Sequence, residues 1–113
     1  MSRVFAFRRH PSLDFSAAAK FGTLIFITEA VKVNQYKSDE MGEFLQNVFH
    51  DYQFDPDKDY LLVAGTNISV AQMFAFVLIN YGKVRCLNFN PMDLRYCVNE
   101  YAIQDYEYEY EDA

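Results

Sequence analysis

Residues 60–89 constrain the fold of this 113-residue chain more than any other stretch. Tyr60 to Ala64 is a nearly continuous apolar run of strand length. Gly65-Thr66-Asn67 then turns the chain into a helical segment from Ile68 to Tyr81, which Gly82 closes. Val84 to Phe89 is apolar and strand-like again. A strand, a helix and a strand within about thirty residues predict a βαβ unit with a right-handed crossover. The helix carries Met73, Phe74, Phe76, Val77, Leu78 and Ile79 around most of its circumference. Such a helix must be covered on more than one side, by the sheet and by another element or another subunit.

The remaining segments extend the same alternation. Arg3 to Arg8 reads as a first strand, and Asp14-Phe15-Ser16 caps a short helical turn over Ala17–Lys20 that Gly22 stops. Thr23 to Thr28 is β-branched and apolar, so it reads as a strand buried on both faces. From Ser38 to Gln53, Met41, Phe44, Leu45, Val48, Phe49 and Tyr52 form one stripe at helical period, with Ser38 as the expected cap. Asn90-Pro91-Met92-Asp93 is a turn, and Arg95 to Tyr101 is a fifth strand, antiparallel to the fourth. If that turn is centred between Pro91 and Met92, Cys86 and Cys97 face each other directly, as two small hydrophobes on a core face. The expectation is one α/β (α+β) domain over residues 1–103. It has a mixed five-stranded sheet with one βαβ unit, a C-terminal β-hairpin and two main helices packed on the sheet. Residues 104–113 form a separate acidic tail of Tyr and Glu.

Charge is split along the chain. The net value is −6, yet residues 1–37 hold six basic residues against two carboxylates, net +4. Residues 38–113 hold four basic residues against fourteen carboxylates, net −10. The total argues against a basic nucleic-acid binder, and the split fits either two halves that attract each other across the fold or an acidic second half facing a partner with a basic surface. No run of about 18 apolar residues occurs, so no membrane span is expected. The N-terminus lacks a secretory signal, and two cysteines are too few for a disulfide scaffold. A reduced, cytoplasmic protein is the expectation.

No catalytic motif stands out. Thr66, Asn67 and Ser69 lie between a strand and a helix, where an anion can bind, but neither phosphate-loop signature is present. These residues are read first as helix caps. His10 and His50 have no nucleophile beside them in any motif. Asp55, Asp57 and Asp59 alternate as in a calcium loop, but Pro56 and the missing glycine make a solvated turn the better reading. No metal and no cofactor are expected. Arg3, Arg8 and Arg9 interleave with Phe5 and Phe7, a mix that suits single-stranded nucleic acid. Strand alternation nevertheless assigns the two phenylalanines to the core. In the tail, Asp105, Tyr106, Glu107, Tyr108, Glu109, Tyr110, Glu111 and Asp112 are the candidate partner-binding residues, able to occupy a basic groove.

Three stretches carry a resemblance. They are Leu13-Asp14-Phe15-Ser16-Ala17-Ala18 through Phe21-Gly22, Phe54-Asp55-Pro56 through Asp59-Tyr60-Leu61-Leu62 to Gly65, and Gly82-Lys83-Val84-Arg85 through Leu87 to Tyr96. In these the chain resembles a family of small proteins encoded by tailed bacteriophages. The resemblance implies a phage origin and an α/β fold, and the Tyr/Glu tail departs from the family pattern. The expected function is a non-enzymatic, phage-encoded interaction protein in the host cytoplasm, a homodimer that binds a host or phage protein. The alternatives are an accessory single-stranded nucleic-acid-binding protein with an autoinhibitory tail, and a small enzyme acting on a phosphorylated ligand.

Overall fold

Alternating apolar strands and helices fold here into a five-stranded mixed sheet. A computed structural model of the chain describes residues 2–9, 14–28, 33–64 and 66–103. The strands are β1 (Arg3–Ala6), β2 (Thr23–Phe26), β3 (Tyr60–Leu62), β4 (Lys83–Asn90) and β5 (Arg95–Ala102). The helices are α1 (Ser38–Asp51) and α2 (Asn67–Tyr81), with a 3-10 turn over Ala18–Lys20. Strand order is β2-β1-β3-β4-β5, parallel except for β5.

The connections explain the layers. The step from β1 to β2 moves one way across the sheet, and the steps from β2 to β3 and β3 to β4 move the other way. Right-handed crossovers then require the first connection on one face and both helices on the opposite face. Phe5, Phe7, Leu61, Val84 and Cys86 pack with Met41, Leu45 and Phe49 of α1 and with Met73 and Val77 of α2. On the reverse face Val4, Ala6, Leu62 and Leu87 pack with Phe15 and Ala18. Two crossovers therefore flank β3, so α1 adds a parallel crossover to the βαβ unit expected around α2.

Aromatic rings fill the first core. Phe49 lies 5.4 Å from Phe5, 5.0 Å from Phe54 and 5.7 Å from Phe76, centroid to centroid. Such pairs contribute about 0.5–1.5 kcal/mol each beyond their burial. At the start of β2, Thr23 N–H donates to Ser2 O, and a Cβ on Gly22 would stand 2.3 Å from that oxygen. Glycine is needed there for the two chains to approach.

Several expected boundaries move. The N-cap of α1 is Lys37 rather than Ser38, and no side chain caps it. The helix stops at Asp51 because Gln53 takes a left-handed φ of 51°, and Phe54 N–H returns to Phe49 O. The first two strands end at Ala6 and Phe26, although Ile27 and Thr28 still donate backbone bonds to Ala6 and Phe7. Thr23 is exposed, so β2 is not buried along its whole length.

The hairpin register also differs by two residues. Asn90 pairs with Arg95, so the turn holds four residues, Pro91 to Leu94. Asn90 Oδ1 accepts Met92 N–H at 3.0 Å, and Leu94 takes φ 53°, which together stabilise the wider turn. Cys86 therefore faces Asn99, and Cys97 faces Asn88. The two thiols share a face of the sheet but are not direct neighbours; Cys86 is buried and Cys97 exposed.

Candidate functional site

Two regions concentrate features that packing alone does not use. The first is the carboxyl edge of the parallel strands. There β1 and β3 are neighbours whose continuations leave toward opposite faces, the place where open α/β sheets form a crevice. Arg8 and Arg9 follow β1, and Thr66, Asn67 and Ser69 follow β3, so the fold brings these residues to one edge. Both arginines are exposed, with Arg8 over the Phe7 ring and Arg9 4.2 Å from the Phe26 centroid. Thr66 is the N-cap residue of α2, yet its hydroxyl lies 2.8 Å from Gln35 Oε1 and 3.0 Å from Ser69 Oγ rather than on a helix amide. Ser69 is fully buried and donates to Thr66 O at 2.9 Å. Only Thr66 and Asn67 of the three remain exposed.

Arg3 stands at the opposite end of β1. Its Nη2 lies 2.9 Å from Asp59 Oδ2, and its Nε donates to Oδ1 at 3.3 Å. Its Nη1 donates to the Tyr52 carbonyl, and Nη2 also donates to that of Gln53. Asp59 is 1% exposed and also accepts the N–H groups of Arg3 and Asp55. The solvated-turn reading of Asp59 is thereby corrected, while Asp57 is exposed and pairs with Lys83. Position supplied one signal: alternation along β3 puts Asp59 on the same face as buried Leu61.

The second region is the hairpin and the groove beside it. α2 covers β3 and β4, but among the described residues no third crossover helix follows, so among them nothing covers β5 on that face. The result is a groove of about 660 Å³ lined by Val63, Val70, Ala71, Phe74, Cys86 and Tyr101, among others. Phe74 and Tyr101 meet edge-on across it at 5.3 Å. Burial pushes the Cys86 thiol up to about 11, so it is a neutral apolar group in the groove floor. Around the hairpin, Phe89, Met92, Leu94, Val98, Tyr101 and Ile103 are exposed, with Met92 at 91% and Leu94 at 73%. Sequence reasoning missed this surface, because the same residues read as ordinary alternation in a strand pair.

Elsewhere the chemistry is sparse. The His50 side chain is exposed, with Nδ1 3.8 Å from Asp51 at the end of α1. Among the described residues no group of three or more His, Cys, Asp or Glu is placed to hold a metal ion. No described helix is long and apolar enough to cross a membrane. The tail candidates Asp105, Tyr106, Glu107, Tyr108, Glu109, Tyr110, Glu111 and Asp112 lie outside the described residues.

No curated protein and no solved structure matches the chain. A family model does match, for Phage Pam3 gp32-like protein, over residues 3–103. That span takes in all five strands and both helices, and it stops where the acidic tail begins. The chain belongs to the Phage Pam3 gp32-like protein family.

Proposed function

We propose that this phage protein is a non-enzymatic binding module of the host cytoplasm that docks an apolar segment of a phage or host protein. The docking surface is the groove between α2 and the β4–β5 hairpin. One observation carries the reading: an open, mostly apolar groove beside a hairpin rich in exposed large hydrophobics. Exposed apolar surface of this kind is costly in water, and proteins retain it where a partner covers it. The acidic residues 104–113 follow β5 in sequence and add attraction for a basic flank on that partner.

Affinity capture from infected-cell lysate tests the proposal. Ala71 is exposed on the groove wall, so Ala71→Trp fills the groove without entering the core. Capture of a specific phage or host protein is expected with the wild type, lost with Ala71→Trp, and weakened by deleting residues 104–113. If Ala71→Trp captures the same proteins as the wild type, the groove is not the docking surface.

Arg8 and Arg9, exposed together at the carboxyl edge, support a second reading as a single-stranded nucleic-acid contact. Arg3 takes no part in it, because Asp59 holds its guanidinium at the other end of β1. Deleting the tail would then raise binding to single-stranded DNA at low salt. Unchanged weak binding overturns this alternative.

A further inference from the structure

We infer that the outer edge of β5 pairs with the β5 edge of a second copy of this chain, antiparallel and centred on Val98. The two sheet edges differ in a way that singles out β5. At the far edge β2 is four residues long, a length that limits strand addition, whereas β5 runs for eight residues. β5 also holds no proline and no lysine, the two residues that most often blunt an edge.

Backbone geometry fixes which groups are free. Ile103 N–H donates to Gly82 O, so odd-numbered residues of β5 turn their amides and carbonyls toward β4. Tyr96, Val98, Glu100 and Ala102 turn theirs outward. A two-fold axis through an antiparallel strand pair must place some residue opposite its own copy. Glu100 is a poor centre, because it would face the partner's Glu100. An axis at Val98 pairs every residue from Arg95 to Tyr101 with the same segment of the copy. Tyr96 then faces the partner's Glu100, Val98 faces the partner's Val98, and Arg95 faces the partner's Tyr101.

Local charge leaves room for a second copy at this edge. The chain carries −6 overall, but β5 holds one cation, Arg95, and one anion, Glu100, so the edge is neutral. Glu100 is already within 3.1 Å of Arg85, and Arg95 has no ion-pair partner among the described residues. In the paired state Arg95 comes against a tyrosine ring, a favourable contact for a guanidinium. Exposed Val98 becomes covered, and Tyr101 becomes part of a continuous sheet. The two grooves then adjoin, floored by four strands and walled by the α2 helix of each copy.

The full chain supplies the test. Light scattering across micromolar concentrations should give twice the 13.2 kDa chain mass. Val98 N–H points away from β4, so Val98→Pro removes an outward donor and no hairpin bond. Val98→Pro and Val98→Lys should both halve the mass while circular dichroism keeps its native shape. Cys97 and Asn99 of the partner subunit would stand opposite at a non-hydrogen-bonded position, where Cα atoms approach to about 4.5 Å, within disulfide range. Mild oxidation of Asn99→Cys should therefore give a covalent dimer, and Asp93→Cys in the turn should give none. A monomer at every concentration overturns the inference, as does a dimer that survives both Val98 variants. Neither result bears on capture at the groove, which Ala71→Trp reads separately.

Discussion

The β1–β3 side of the sheet and the outer strand of the β4–β5 hairpin both carry apolar residues but treat them in opposite ways. Around β1, every residue from Val4 to Phe7 is buried, helices or a turn cover both faces, and even the carboxylate at the edge of this core, Asp59, is neutralised by Arg3. In β5 only Tyr96 is less than exposed, and valine, tyrosine and cysteine side chains face solvent. The difference comes from connectivity. A parallel strand must be reached by a crossover that lays an element over the sheet, whereas a hairpin needs only a turn and brings no cover. An edge strand added by a hairpin is therefore where this fold leaves apolar side chains uncovered.

The largest expected effect compares the two sides directly. Phe49→Ala, within the ring cluster of Phe5, Phe54 and Phe76, should cost about 3–5 kcal/mol in urea unfolding. Leu94→Ala, at the hairpin tip, should stay within about 0.5 kcal/mol. Equal losses would mean that the hairpin is packed in solution and the contrast is false.

Next come the two ion pairs. Asp59→Ala strands two backbone N–H groups and the Arg3 guanidinium, and should cost about 3 kcal/mol. Glu100→Gln removes an exposed partner of Arg85 and should cost less than about 1 kcal/mol. A reversal of that order in the unfolding midpoints would locate the important charge pair at the hairpin instead.

The third comparison is read through the thiols. Cys97 should react with a thiol reagent in the native protein, while Cys86 should react only after unfolding. Because burial raises the Cys86 pKa from 9.0 to about 11, the unfolded chain loses this proton first. The thiol's contribution is complete below pH 9 and disappears as pH rises through about 11, on the order of 2 kcal/mol. Cys86→Ala should flatten that fall in part, since burial also raises Tyr81 and Tyr96. No change of slope in pH-dependent melting would place Cys86 in contact with water and open the groove floor.

Periodicity made much of this legible. The stripe from Met41 to Phe49 and the run from Tyr60 to Phe89 predict α1, β3, α2 and β4 within a few residues, because burial demands those spacings. The hairpin register was not legible in the same way. A two-residue shift keeps every side chain on its face, so the apolar pattern could not distinguish a two-residue turn from the four-residue turn that Asn90 and Leu94 build. Asp59 was hidden for a related reason: its partner Arg3 lies 56 residues away, and only β1–β3 pairing brings them together.

Chain order and local pattern by themselves determined the class of fold, the elements and the membership of a core built from Phe5, Phe49, Met73 and Val77. They also determined the charge split that runs along the chain. Tertiary structure decided which apolar residues stay uncovered. That choice depends on strand order and on how each strand is reached, quantities that no local window of sequence contains. Parallel crossovers bury what they connect, the final hairpin does not, and the groove and open edge follow from that single difference.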